Sequence, residues 1–404
     1  MSASAVVTGF GVAAPNGLGT EDYWAATRAG RAGIGPLTRF DARGYRARLA
    51  GEVPDFAARD HVPVRLIPQT DHMTRLALAA AEWAFDDAGV RPSDLERFGS
   101  GVVTAATAGG YAFGERELRA LWAEGPDHVS AYQSFAWFYA VNTGQLSIRH
   151  GVRGASSALV SDQAGGLDAL TQARRLIRKG QRLMLAGGVD SSLCSWGWVA
   201  HLAGGRVSES GDPERAYLPF DREARGHVPG EGGALLVVED AAAARRRGAR
   251  VHGEIAGCAA TFDPPRDSGR PGNLAAAIRG ALDDAGARPA DIDVVFADAA
   301  AVPELDLAEA DALRAVFGPG AVPVTAPKTM TGRLGAGAGA LDVVTALLAL
   351  RDGVIPPTVH VTPDPAYGLD LVTRARAADL RTALVLARGF GGFNSAAVLR
   401  APAG

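Results

Sequence analysis

The sequence predicts an α/β protein made of two pseudo-duplicated halves of the βαβαβ kind, and two internal repeats and one recurring strand order carry that prediction. Phe85-Asp-Asp-Ala-Gly-Val-Arg-Pro-Ser-Asp94 returns as Leu282-Asp-Asp-Ala-Gly-Ala-Arg-Pro-Ala-Asp291. Gly166-Leu-Asp-Ala-Leu-Thr171 returns as Ala340-Leu-Asp-Val-Val-Thr345. Each half then reads strand, glycine-rich turn, strand: Leu183 to Val189 and Ala234 to Glu239 in the first, Thr382 to Ala387 and Ser395 to Leu399 in the second.

In chain order, both copies of the first repeat close an Ala-rich amphipathic run with Gly and then Pro, the ending expected of a helix C-cap followed by a stop. Both copies of the second repeat read as helices that leave glycine-rich turns, running to Gly180 and Gly353. The division falls near Ala241 to Arg250, giving residues 1–250 and 251–404, with Arg245-Arg246-Arg247 expected as a solvated helix end. Between matching helices the first half carries an insert at 111–139 with eight aromatic residues, Tyr111, Phe113, Trp122, Tyr132, Phe135, Trp137, Phe138 and Tyr139. That density predicts a buried contact surface at a subunit interface or ligand tunnel, with Phe135, Trp137, Phe138 and Tyr139 as interface candidates.

Composition narrows the function. The chain has 404 residues, 47% hydrophobic and 21% charged, which excludes disorder as its main state, and its net charge of −3 provides no field for nucleic acid or a membrane surface. No basic residue precedes Arg28 and no window offers eighteen apolar residues free of charge, so a cytoplasmic protein without a secretory leader is expected. Cys194 and Cys258 have no Cys or His at ligand spacing, so neither a disulfide, a metal nor a cofactor is expected; both read as small hydrophobes, and neither is placed at an elbow that enters a helix. Gly335-Ala-Gly-Ala-Gly339 lacks the Gly-Lys-Ser/Thr ending of a nucleotide loop and reads as a close-packed helix start. The only lysines are Lys179 and Lys328.

Over essentially its whole length the sequence resembles the β-ketoacyl synthase family of the thiolase fold. The resemblance rests on Val6-Val-Thr-Gly-Phe-Gly-Val12, Pro219-Phe-Asp221, Pro229-Gly-Glu-Gly232, Lys328-Thr-Met-Thr-Gly332 and Gly389-Phe-Gly-Gly-Phe-Asn394. It implies a five-layer αβαβα arrangement. Condensing members use a Cys at a strand-to-helix elbow and two His that bind the thioester carbonyl and promote decarboxylation. Here the elbow Ser161-Asp-Gln-Ala-Gly-Gly-Leu-Asp168 carries Gln163 at the nucleophile position, Asp298 stands at the first His position and Arg333 at the second. A carboxamide cannot form a thioester, an anion at 298 would repel a leaving carboxylate, and a permanent cation at 333 cannot shuttle protons. Lys328 and Glu309 match the family's charged pair, and with Asp298 and Arg333 they are expected to form a structural ion-pair network.

Gln at the elbow with both His lost resembles the chain-length factor, or ketosynthase β subunit, of type II aromatic polyketide synthases. Ser130-Ala-Tyr-Gln-Ser-Phe-Ala-Trp-Phe-Tyr-Ala-Val-Asn142 and Trp196-Gly-Trp198 carry that resemblance further. It implies a heterodimer with a Cys-containing ketosynthase α subunit, fed by an acyl carrier protein, in which this chain limits product length by shaping an interface tunnel. Tyr111, Gly114 and Leu118 share one face of a helix at i, i+3 and i+7 and fall on the positions of the gate. An unforced helical Gly114 and a non-aromatic Leu118 imply a roomy tunnel and a decaketide or longer chain. Two readings compete. One is a malonyl-acyl carrier protein decarboxylase that supplies the acetyl primer, with Gln163, Lys328 and the backbone near Phe390 as oxyanion donors; the other is a self-contained ketosynthase.

Overall fold

The structure, a computed structural model, describes residues 4–96, 98–265 and 268–402. The first half runs β1 (Ala5–Ala14), α1 (His72–Ala88), β2 (Ser100–Ala105), α2 (Tyr111–Glu124), α3 (Val141–His150), β3 (Ser156–Leu159), α4 (Gly165–Arg178), β4 (Leu183–Asp190), α5 (Ser195–Ala203) and β5 (Gly232–Asp240). The second runs β6 (Gly253–Phe262), α6 (Leu274–Ala285), β7 (Val294–Phe296), α7 (Pro303–Phe317), β8 (Pro323–Thr325), α8 (Gly337–Asp352), β9 (Thr382–Arg388) and β10 (Phe393–Arg400). The first half-sheet has the order β3-β2-β4-β5-β1 and the second β8-β7-β9-β10-β6, so corresponding strands hold corresponding places. In both, the inner pairs β2–β4 and β7–β9 are parallel and the next pairs, β4–β5 and β9–β10, antiparallel. The half-sheets meet through β1 and β6, at Val6↔Glu254 and Val7↔Gly253.

Side-chain alternation along the strands creates the layers. Val102, Leu183, Leu185, Leu235 and Val237 face outward onto α1, whereas Val103, Met184, Ala186, Leu236 and Val238 face the inner helices. In the second half Leu384, Leu386, Ala396 and Val398 pack toward α6, and Ala383, Val385, Ala397 and Leu399 toward that same inner layer. The inner layer is α4 and α8, so the order is helix, sheet, helices, sheet, helix. Nearly every residue of α8 from Gly337 to Leu350 is buried, as a helix without a polar face must be. Its glycine-rich start is a packing device: a Cβ on Gly337 would lie 2.0 Å from the Gly232 carbonyl oxygen, and one on Gly166 of α4 would lie 2.5 Å from the Ala340 nitrogen.

The duplication extends to single contacts. Gly9 of β1 lies so close to α1 that a Cβ would sit 2.4 Å from the Ala84 carbonyl oxygen, and Gly257 of β6 stands to Ala281 in the same way at 2.2 Å. The next amide in each strand, Phe10 N–H and Cys258 N–H, donates to Asp87 and Asp284 at 3.0 and 2.9 Å. Both repeats end with left-handed glycines, Gly89 and Gly286, as their C-cap sequence requires. No helix among the described residues is long and apolar enough to cross a membrane. We expect Gly9→Ala and Gly257→Ala each to destabilise the fold by roughly 1–3 kcal/mol through overpacking, read from urea midpoints, whereas Gly144→Ala, in the middle of α3 where a Cβ meets open space, costs less.

Candidate functional site

Gln163 lies in a short turn, Asp162–Ala164, between β3 and α4. Asp162 adopts a left-handed backbone at φ 51°, a conformation that costs a non-glycine residue energy and needs support from its surroundings. That support comes from the other half: the Phe390 N–H donates to Asp162 Oδ2 at 2.8 Å. Asp168, one turn into α4, accepts from Ser161 at 2.5 Å and from Ser395 of β10. Gln163 is 2% exposed, and its Nε2 finds no partner among the described residues. The amide neither ionises nor attacks, so the dipole of α4 has no thiolate to stabilise.

Asp298 and Arg333 face each other as a fork-to-fork pair, with both guanidinium–carboxylate contacts at 3.1 Å. Arg333 also donates to the Asp298 and Arg388 carbonyl oxygens at 3.0 and 3.2 Å, and the Arg388 N–H donates to Asp298 Oδ1 at 2.9 Å. Burial alone would raise the Asp298 carboxyl, but Arg333, with Lys328 and Arg388 behind it, holds it below the ordinary 3.8. The anion at 298 is therefore a compensated one. Ala299 and Ala301 both take left-handed backbones here, pinned by Glu309, which accepts from the Asp298 and Ala299 amides at 2.7 and 2.8 Å, and by Asp306, which accepts from Ala301 at 3.0 Å.

The expected Lys328–Glu309 pair is corrected. Lys328 forms its ion pair with Asp342 of α8 at 2.8 Å and donates to the Ala297 carbonyl oxygen, while Glu309 spends both oxygens on backbone amides. The geometric reason is that Asp342 lies on the buried helix that starts just after Lys328. The Lys328 ammonium is held by Asp342 and Ala297 and the Phe390 amide is bonded to Asp162, so of the donors considered for an oxyanion Gln163 is the one whose side-chain N–H groups have no partner among the described residues.

Cys194 also departs from expectation, because it is the N-cap of α5, its sulfur accepting from Gly197 N–H at 3.5 Å. Burial, reinforced by the neighbouring Glu115 carboxylate, pushes its thiol up to about 12, so the position at a helix start yields no nucleophile.

The second feature is a groove of about 570 Å³ between α2 and α5, lined by Glu115, Leu118, Arg119, Trp122, Ala123 and Trp196. Tyr111 stacks on Trp196 with ring centroids 4.6 Å apart. Gly114 lies beneath the same indole: a Cβ there would be 3.3 Å from its Cζ3 and 3.5 Å from Trp137 Cβ. The close approach that Gly114 implied is thus made by the chain's own Trp196, and of the three expected gate positions Leu118 is the one that lines the groove. Sequence reasoning did not group Trp196 with them. Its signal was Gly197, where a Cβ would lie 2.1 Å from the Ser192 carbonyl oxygen, so the turn that presents Trp196 accepts only glycine.

Three carboxylates anchor α2. Asp71, the N-cap of α1, accepts from Phe113 N–H at 2.7 Å; Glu117 accepts from Ser130 N–H at 2.7 Å; Glu115 reaches α5. Beyond α2, the residues expected to form a contact surface at an interface or tunnel lie on the outside of the chain. Trp137, Phe138 and Tyr139 are exposed and Phe135 is half-buried, whereas Ala136 between them is buried. Strand β3 pairs only with β2, so its outer edge carries no partner strand among the described residues.

An elbow beneath an inner helix pair, two half-sheets of one topology and a flanking second-half loop define a ketosynthase-type centre. Family models described as the N-terminal and C-terminal domains of β-ketoacyl synthase match residues 3–244 and 252–362. The chain belongs to the β-ketoacyl synthase family. Within it the chain groups with the polyketide ketosynthase β subunits: it is 61% identical, over 99% of both chains, to the tetracenomycin polyketide synthase ketoacyl synthase beta subunit of Streptomyces glaucescens. Among solved structures it is similar to the ishigamide ketosynthase/chain length factor, at 31% identity and a TM-score of 0.89 with 100% of both chains covered. A type II polyketide synthase acyl-carrier protein in complex with its ketosynthase bound to the hexaketide is similar at 29% identity, the same TM-score and the same coverage.

The Asp298–Arg333 pair gives a pH-dependent prediction. Removing Arg333 leaves a buried carboxylate without its main counter-ion, so Arg333→Ala is expected to cost roughly 3–5 kcal/mol at pH 7. In the parent, the depressed Asp298 contributes stability that is present above 3.8 and lost as pH falls through its lower folded value. In Arg333→Ala, burial works against the carboxylate and protonation relieves the cost. The deficit, measured by urea denaturation, is expected to shrink between pH 7 and pH 5.

Proposed function

We propose that this chain is the non-condensing subunit of a polyketide ketosynthase heterodimer. It pairs in the cytoplasm with a Cys-containing α subunit that joins malonyl units carried by an acyl carrier protein, and it sets the length of the product. One observation carries this reading: Asp298 and Arg333 are spent on each other and Gln163 neither ionises nor attacks, whereas the aromatic groove between α2 and α5 stays open and β3 has no outer partner strand among the described residues. The edge of β3, together with Trp137, Phe138 and Tyr139, supports a docking face for the α subunit, since such an edge and such aromatics are commonly covered in an assembly. The groove under Trp196 would then continue into the tunnel at the interface and end on Tyr111, Gly114 and Leu118. Leu118, not Gly114, carries the expectation of a decaketide or longer chain, because the Trp196 ring fills the space that Gly114 leaves.

Gln163 favours one second reading. Its unpaired, buried Nε2 can donate to a thioester oxygen, which malonyl decarboxylation requires. A single neutral donor is a weak oxyanion site, and the remaining candidate donors are engaged.

Co-expression with an α subunit is expected to yield a one-to-one complex by size-exclusion chromatography, and Trp137→Glu to weaken it at least about tenfold, equal to ~1.4 kcal/mol. The chain alone is expected to form no carbon–carbon bond with malonyl-acyl carrier protein. In the complex, Leu118→Trp is expected to shorten the main product by mass spectrometry; CO₂ release by the isolated chain that disappears in Gln163→Ala would favour the decarboxylase instead.

A further inference from the structure

Helix α2 meets the first turn of α5 at three consecutive levels. Tyr111 stacks on the Trp196 ring, Gly114 makes room for its edge, and Glu115 takes hold of its backbone. The Glu115 carboxylate accepts from the Ser195 hydroxyl at 2.5 Å and from the Trp196 N–H at 3.1 Å, and Arg119, one turn on, donates to it at 2.6 and 3.0 Å. The Trp196 amide lies in the first turn of α5, where the helix leaves its first N–H groups without intrahelical acceptors, so an acidic side chain from a second helix closes the end that the Cys194 thiol caps only weakly. Partial burial works against the charge, but the Ser195, Trp196 and Arg119 donors outweigh it and hold Glu115 at about 2, leaving it ionised throughout the working range.

The indole itself is 41% exposed and forms one wall of the groove that Leu118 and Trp122 also line. A large ring with one face on Tyr111 and another toward open space is not fixed by packing alone. Its direction is set by where its backbone is held.

We infer that Glu115 is a positioning residue for product length, acting through Trp196: by clamping the first turn of α5 to α2 it holds the indole in one place over Gly114 and so gives the groove a single end wall. This rests on the proposed role of the groove as the end of the product tunnel. Loosening the clamp lets the ring occupy more than one position, and the product then has more than one length.

The test uses the complete heterodimer with its acyl carrier protein and compares Glu115→Ala, Glu115→Gln and Leu118→Trp. The readout is the ratio of product lengths by mass spectrometry, which does not depend on how much folded enzyme each preparation contains. Glu115→Ala is expected to raise the minor lengths relative to the main one about tenfold. Glu115→Gln, which keeps the acceptor oxygen, is expected to restore most of the parental ratio. If Leu118→Trp shortens the product but Glu115→Ala leaves its length distribution unchanged, the positioning role is overturned while the tunnel stands. If Leu118→Trp has no effect on length, the tunnel reading itself fails.

Discussion

The structure depends on the close approach of two helices that share the middle layer. Helix α8 is buried on every side between the two sheets, and α4 lies against it through glycines: a Cβ on Gly166 would lie 2.5 Å from the Ala340 nitrogen and one on Gly339 would lie 3.0 Å from the Leu167 nitrogen. The consequence for the site is direct. Gln163 stands just before α4, and Arg333 just before α8, so fixing the two helices fixes the elbow and the Arg333 loop relative to each other. The second half then reaches across to finish both, through Phe390 at Asp162 and Ser395 at Asp168. A centre composed from both halves keeps its shape as long as the middle layer does, whether or not it performs chemistry.

The charges within that centre follow the same logic. Three acidic groups that a catalytic site would leave with work to do are each satisfied structurally: Asp298 by Arg333, Glu309 by two backbone amides, Asp342 by Lys328. The left-handed Ala299 and Ala301 persist because these groups hold the loop from several sides. Retention of family charges around an inert elbow is therefore explained by the cost of leaving buried carboxylates and strained amides unpaired.

Much of this was legible in the sequence because duplication and punctuation are local signals. The paired Gly-x-Arg-Pro endings predicted the helix stops at Gly89 and Gly286, and the repeat at Gly166 and Ala340 predicted the inner helices. Gln163, Asp298 and Arg333 could be read off because each departs from a motif at a defined place. What sequence could not supply was the choice among partners. Lys328 has several acidic groups in reach of its stem, and only the rotation of α8 decides that Asp342 is the one. Cys194 gave no sign of capping a helix, since Ser, Thr, Asp and Asn are the residues that announce a cap. Trp196 lies far along the chain from Gly114, and their contact exists only once α5 has folded onto α2. The aromatic density of the insert left open whether the cover of Trp137, Phe138 and Tyr139 comes from the same chain or from another, and their exposure shows that it does not come from the described residues of this chain.

The free edge of β3 has a consequence for the life of the molecule before assembly. A short strand with no partner on its outer side among the described residues, on a chain that also exposes three aromatic rings, is a template for pairing with any extended chain that passes. Copies whose edge stays uncovered are thus prone to clump or to be degraded. If the proposed α subunit is what covers it, balanced synthesis of both polypeptides follows from the fold, and the ratio in which a cell or an experimenter makes them sets how much of this one survives.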